Sequence, residues 1–282
     1  KKIAVIGNGS TCVQMFPSLQ KKASKIGLFQ RTPQWILPVF DKAYSAKEKA
    51  RLRKYPWIGK VLRWYYWLLL NMTFAKPVTG NKFLQRIISW ACKSHLEAKV
   101  KDPTLREALR PTYQALCKRL IVANGFYEAI QEPNAELVTS GISRIEKNGV
   151  RTADGAFFEA DVLILATSIQ LLATNHRFEK WANFPHERAK LLSMLEKLDS
   201  TVLIVSGDRH RGGIYKRGNL IEITASSLNR GLPPYPETDE LLLGETHTVH
   251  NYGLIEFTNT NMTVVLKDEE KNLLESIEIP FK

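Results

Sequence analysis

Two short constellations in this 282-residue chain have residue types and spacing suited to chemistry. The first is Gly7-x-Gly9-x-x-Cys12, directly after the apolar run Ile3-Ala4-Val5-Ile6. A first glycine permits a tight turn, and a second lets the backbone approach a pyrophosphate. The N–H groups and partial positive charge of a following helix then face the phosphates. Cys12 stands where a third glycine would pack helix against strand, and it is small enough for that place. Ser10, Thr11 and Gln14, on the first turns of the same helix, belong to this candidate cradle. The second constellation is Ser206-Gly207-Asp208-Arg209-His210, which projects a carboxylate and an imidazole from a strand end. Such ligands suit a divalent or ferric ion that clamps a phosphate ester and activates water. The bland alternative is a turn with a core histidine.

The elements around the first constellation fit its chemistry. A strand over residues 3–6, a helix from about Ser10 to Ala23 carrying Pro17, and a strand over Lys25–Gln30 make a βαβ opening. At the end of that second strand an NAD site places a carboxylate for the ribose hydroxyls. Here stand Gln30, Arg31 and Thr32. A guanidinium beside a hydroxyl suits a 2′-phosphate, so NADPH is expected over NADH. Arg31 on a solvated loop is the plain alternative.

Residues 41–110 are basic, aromatic and helical in period, broken at Pro56, Pro77–Gly80 and Pro103. From Ala135 short strands alternate with the hairpin dipeptides Asn148-Gly149 and Asp154-Gly155. Asp161–Ala166 and Thr201–Val205 are apolar runs of the kind found in buried parallel strands, with a helix over Pro185–Leu198 between them.

Composition bounds the rest. Hydrophobic residues at 44% and charged residues at 24% are ordinary for a folded protein, while a net charge of +12 is not. That excess favours anionic partners such as cofactor phosphates or acidic headgroups, or it is a solvated basic face; nothing selects a specific nucleic acid. Three cysteines without metal-ligand spacing suggest a reducing, cytoplasmic setting. Trp57–Leu70 falls short of the ~20 apolar residues of a spanning helix. It suits a membrane surface or packing on a neighbouring domain. Lys1 lies against a core strand, so an upstream region, with a second cofactor motif, is expected.

Residues 7–19, GNGSTCVQMFPSL, followed by FQRTPQWILP at 29–38, resemble the NADPH-binding region of flavin-dependent Baeyer–Villiger-type monooxygenases. So do Cys117-Lys118-Arg119, Tyr127, Pro133-Asn134, Gly149-Val150 through Asp154-Gly155, and Asp161–Thr167. The resemblance covers about residues 1–167. It implies that Lys118 and Arg31 hold the NADPH phosphate, and that Arg119 is catalytic, lying against FAD to stabilise a negatively charged peroxyflavin. It also implies a small-molecule substrate. The FAD motif and the His/Trp fingerprint of that family do not precede Lys1, and Ser168 replaces the glycine of its Ala-Thr-Gly return motif.

Ile169-Gln170, Phe178 through Arg188, SGDRH at 206–210, Glu222–Ser227 and Asn251-Tyr252-Gly253 resemble the later part of alkaline phosphatase D (PhoD-like) metallophosphoesterases. That resemblance implies that Asp208 and His210 serve a metal centre. The expected architecture is α/β: a Rossmann-like NADPH-binding domain over 1–167, followed by an α+β half-sandwich of metallophosphoesterase type over 168–282. Three functions follow: a monooxygenase's NADPH-binding part, a metal-dependent phosphoesterase, or a non-catalytic fusion or truncated product.

Overall fold

The computed structural model describes the chain apart from residues 40–42, 119, 199–200, 229–234, 236, 259 and 281–282. The described residues form two compact units, one of Lys1–Thr32 with Glu128–Lys282 and one of Pro33–Tyr127.

The first unit opens with β1 (Lys2–Ile6), α1 (Ser10–Gln20) and β2 (Lys25–Phe29). The helix buries Cys12, Val13, Phe16 and Leu19, one stripe at helical spacing, and accommodates Pro17 without ending.

The second unit carries β3 (Ile36–Leu37), α2 (Ala46–Lys54), α3 (Pro56–Leu70), a π-helical turn at Asn71–Ala75, α4 (Lys76–Val78), α5 (Lys82–Lys99), α6 (Pro103–Ala108) and β4 (Ile121–Val122). Local chemistry sets these boundaries. Ser45 and Glu48 close a capping box at α2, and Asn81 and Asp102 cap α5 and α6 through their side chains. Pro56 and Pro103 begin α3 and α6, where a missing N–H costs nothing. Strands β3 and β4 pair in parallel.

After α7 (Phe126–Ala129) the chain resumes the first unit with β5 (Ala135–Val138) and a meander of β6 (Ile142–Glu146), β7 (Gly149–Thr152) and β8 (Phe157–Glu159). Then follow β9 (Val162–Ala166), α8 (Pro185–Leu195), β10 (Val202–Ser206), β11 (Gly212–Arg217), β12 (Leu220–Ala225) and β13 (Leu242–His247). Last come β14 (Asn251–Phe257), β15 (Asn261–Asp268) and β16 (Leu273–Pro280). One sheet has the order β13-β11-β12-β10-β9-β1-β2-β5. Its ladders are parallel from β5 to β12, and β11 and β13 close it antiparallel. β1 lies inside this sheet, which explains why its residues are an unbroken apolar run.

The expected division at Thr167 differs from the observed one. β10 lies directly beside β9, pairing Val202–Val205 with Leu163–Ala166. One core cluster draws on Ala4, Phe29 and Leu163 together with Leu171, Leu195, Val202 and Leu220. Residues 168–282 therefore do not stand apart as a half-sandwich. Their strands extend the parallel sheet, and they also supply a second sheet, β14-β15-β16. Met262, Val264 and Leu266, two apart on β15, are fully buried, and a side chain at Gly253 would run into Ile223 of β12.

The meander covers β2 closely. A Cβ on Gly27 would lie 2.6 Å from the Phe158 ring, which is itself buried and edge-on to Phe29 at 5.8 Å. Gly27→Ala is expected to destabilise the fold by about 1–3 kcal/mol through overpacking. Phe158→Leu should relieve part of that loss in the double variant. Urea denaturation of the four proteins measures the coupling; additive losses would place the meander elsewhere.

Candidate dinucleotide-binding site

The loop after β1 is constrained from both sides. Gly7 has φ +108°, and a Cβ there would lie 2.5 Å from the Ala166 carbonyl oxygen at the end of β9. No L side chain fits that conformation and that gap. Asn8 then donates through Nδ2 to the Gln30 side-chain oxygen at 3.2 Å and to the Thr32 carbonyl at 2.5 Å. The turn is thereby tied to the end of β2.

Gly9 is the N-cap of α1, in extended conformation, with no side chain capping the helix and no acid in its first turn. A Cβ on Gly9 would meet nothing within 4 Å. An open backbone thus faces the uncapped N–H groups of α1, an arrangement that accepts a phosphate. Ser10 and Thr11 are half-buried on this turn and Gln14 is exposed. Cys12 is buried against the sheet, where burial pushes its thiol up to about 12. It packs the helix and carries no thiolate.

Arg31 follows β2 directly and is exposed, and no partner of its guanidinium is seen among the described residues. Thr32 is half-buried beside it. Gln30, buried, occupies the place where a ribose-binding carboxylate would stand. The structure brings Gly7, Gly9, Ser10, Thr11, Arg31 and Thr32 to the carboxyl ends of β1 and β2, where doubly wound sheets bind ligands. Lys118 belongs to the second unit, exposed, with Nζ 4.6 Å from the Tyr113 ring centroid. Arg119 lies outside the described residues.

The second constellation has a different geometry from the expected one. Asp208 and His210 have φ +66° and +53°, so the chain alternates and turns Arg209 and Arg211 inward. Asp208 is exposed and His210 half-buried. Among the described residues no group of three or more His, Cys, Asp or Glu side chains is placed to hold a metal ion. His250 instead faces Glu269, with Nδ1 3.1 Å from the carboxylate, and His247 lies 3.8 Å from Glu275.

The inward arginines share one carboxylate. Arg209 reaches one Glu237 oxygen at 2.5 Å and Arg211 the other at 3.3 Å. Burial pushes the Glu237 carboxyl up, but the two guanidiniums outweigh it and hold the group below its ordinary range. Arg209 also donates to Gln170, whose amide donates to Thr224. The His176 imidazole nearby is pushed down to about 4 by burial and by the charges of Arg209 and Lys180. No sequence signal marks these as interior groups, since arginine is ordinarily exposed.

Glu222 on β12 is fully buried and accepts the N–H groups of Leu171 at 2.9 Å and Leu172 at 2.6 Å. Arg188 of α8 donates to the carbonyls of the same two residues, both at 2.8 Å. Burial raises the Glu222 carboxyl above its ordinary 4.5, against the hydrogen bonds it accepts.

The parallel sheet with helices, the glycine turn at its first strand and the uncapped helix define a Rossmann-like α/β unit. The comparisons narrow this class. The chain is 41% identical over 167 residues to an uncharacterised monooxygenase of Mycobacterium tuberculosis H37Rv, covering 59% of this chain and 33% of that protein. It is 34% identical over 174 residues to a Baeyer–Villiger monooxygenase of Streptomyces coelicolor, with 61% and 33% covered. It is 35% identical over 172 residues to one of Pseudomonas aeruginosa, with 59% and 32% covered. Cyclohexanone monooxygenase from Rhodococcus sp. Phi1 bound to NADP+ shares the fold at TM-score 0.51 and 24% identity, over 59% of this chain and 38% of that one. No protein-family model matches the chain. About three-fifths of the chain is thus homologous to Baeyer–Villiger monooxygenases. The chain spans about a third of the length of those curated relatives.

Two measurements test this assignment of side chains. Asp208→Asn should leave the metal content unchanged, as read by elemental mass spectrometry; a lost metal equivalent would restore Asp208 as a ligand. For Glu222 the raised folded value means that the folded state binds the extra proton, so its contribution to stability is present below pH 4.5 and lost as pH rises through the folded value. Glu222→Gln should remove that component, so the stability gap to the parent changes with pH above 4.5 in urea titrations. A gap independent of pH would show Glu222 unshifted.

Proposed function

We propose that this chain carries the NADPH-binding part of a flavin-dependent Baeyer–Villiger-type monooxygenase. The observation that carries the reading is the pairing of an open, uncapped helix N-terminus at Gly9 with a guanidinium at Arg31 that has no partner among the described residues, across a turn fixed by Asn8. The homology of about three-fifths of the chain to Baeyer–Villiger monooxygenases supports it.

The residues present fit NADPH. A Cβ at Gly9 would occupy the space the pyrophosphate needs, and glycine leaves it open. The first N–H groups of α1 take the pyrophosphate charge without an acidic side chain to oppose it. Arg31 and Thr32 take the 2′-phosphate, with Gln30 in place of a repelling carboxylate. NADPH when bound supplies a hydride. The resemblance to Baeyer–Villiger monooxygenases implies a role for Lys118 at the NADPH phosphate and for Arg119 at negative charge that develops beside the flavin. The phosphoesterase reading is not carried forward, because no third ligand joins Asp208 and His210 among the described residues.

Arg31→Ala should weaken NADPH binding by about 10- to 100-fold, the worth of a charge-assisted phosphate contact. NADH binding should change by less than about twofold. Calorimetric titration of both cofactors against both proteins decides it. Equal losses would remove Arg31 from the 2′-phosphate.

A further inference from the structure

The helix α3 is exposed along its whole length. None of its fifteen residues is buried, and Trp57, Val61, Trp64, Tyr65, Tyr66, Trp67 and Leu68–Leu70 all face outward. Lys60 and Arg63, three residues apart, share one narrow stripe, and apolar or aromatic side chains wrap the rest. A helix of that character ordinarily lies against something. The second unit does not use it for its own core. That core is built from Leu37, Ile88, Cys92 and Ala115, and α5 faces it with Ile88, Cys92 and Leu96. On another side of α5, Phe83, Ile87 and Trp90 form a second exposed ridge at successive turns, with Phe83 70% and Trp90 69% exposed.

We propose that α3 lies on an anionic lipid bilayer and anchors the second unit to a membrane surface. Three features point to a lipid surface as the occupant. From Ala46 to Trp90 there are ten Lys and Arg residues and one acid, Glu48, so the surface complements anionic headgroups. A second copy would bring two such cationic surfaces together and repel. Trp and Tyr with flanking Lys and Arg match the headgroup boundary, where amphipathic rings and snorkelling cations are both satisfied. Finally, Lys60 and Arg63 lie inside α3, where a helix crossing a bilayer core carries no charge. No helix among the described residues is long and apolar enough to cross a membrane, so α3 lies in the interface plane.

The test uses the 282-residue protein with sucrose-loaded vesicles, of phosphatidylcholine alone or mixed with phosphatidylglycerol. Sedimentation should be at least about tenfold stronger with the anionic vesicles and should weaken as salt is raised. Lipids brominated near the headgroup should quench tryptophan fluorescence. Lys60→Glu/Arg63→Glu, which alters only exposed side chains, should lower the partition coefficient about tenfold or more. Trp64→Gln/Trp67→Gln should reduce quenching to what Trp57 and Trp90 leave, while the circular dichroism and NADPH affinity stay unchanged. The proposal fails if neither vesicle binds, if both bind equally, or if the variants bind like the parent. It fails equally if light scattering shows a dimer that Trp64→Gln/Trp67→Gln dissolves and no vesicle binding occurs.

Discussion

One buried carboxylate allows the chain to leave the middle of its own sheet without losing stability. After β9 the backbone must travel to α8 through Leu171, Leu172 and Ala173, all buried and in no regular element. Peptide groups buried outside helices and strands cost heavily when unpaired. Glu222 takes both N–H groups of the leucine pair and Arg188 takes both carbonyls. A carboxyl group and a guanidinium thus brace a short irregular segment from two neighbouring elements. With that segment fixed, α8 returns to place β10 beside β9, and the sheet runs on through β12.

The two ends of the nucleotide loop are held by similar logic on a smaller scale. Gly7 admits the Ala166 carbonyl, and Asn8 reaches the backbone after β2. The loop is therefore set by β9 as much as by its own strand. The ends of β1, β2 and β9 thus meet around this loop.

The geometry of the turn after β1 was legible because its residues are unusual for local reasons. Gly7 and Gly9 announce backbone demands, and Arg31 stands where a carboxylate is ordinary. Prolines 56 and 103 mark helix starts for equally local reasons. The joining of the sheet was not legible. DVLILA and TVLIV are both continuous apolar runs, and such runs say that a strand is buried without saying beside which neighbour. The strands β11 and β13 escaped for another reason. Gly212, Gly213 and Gly244 interrupt their apolar pattern; Leu266 approaches the backbone closely at Gly212, and Glu275 does so at Gly244. The Gly-Asp-x-His pattern misled because the buried residues are the arginines between and after the pair, and a lone pattern does not reveal which way a left-handed backbone turns its side chains.

Cys12 fills the glycine position with a thiol that is both inaccessible and pushed up to about 12 by burial, and Cys92 is in the same condition. Cys117 alone among the three is exposed, immediately before Lys118. Packing has thus sorted three chemically identical groups into two inert ones and one accessible to reagents. A thiol-directed fluorophore or spin label would attach to the native chain at a single address, giving a reporter on the second unit without any substitution.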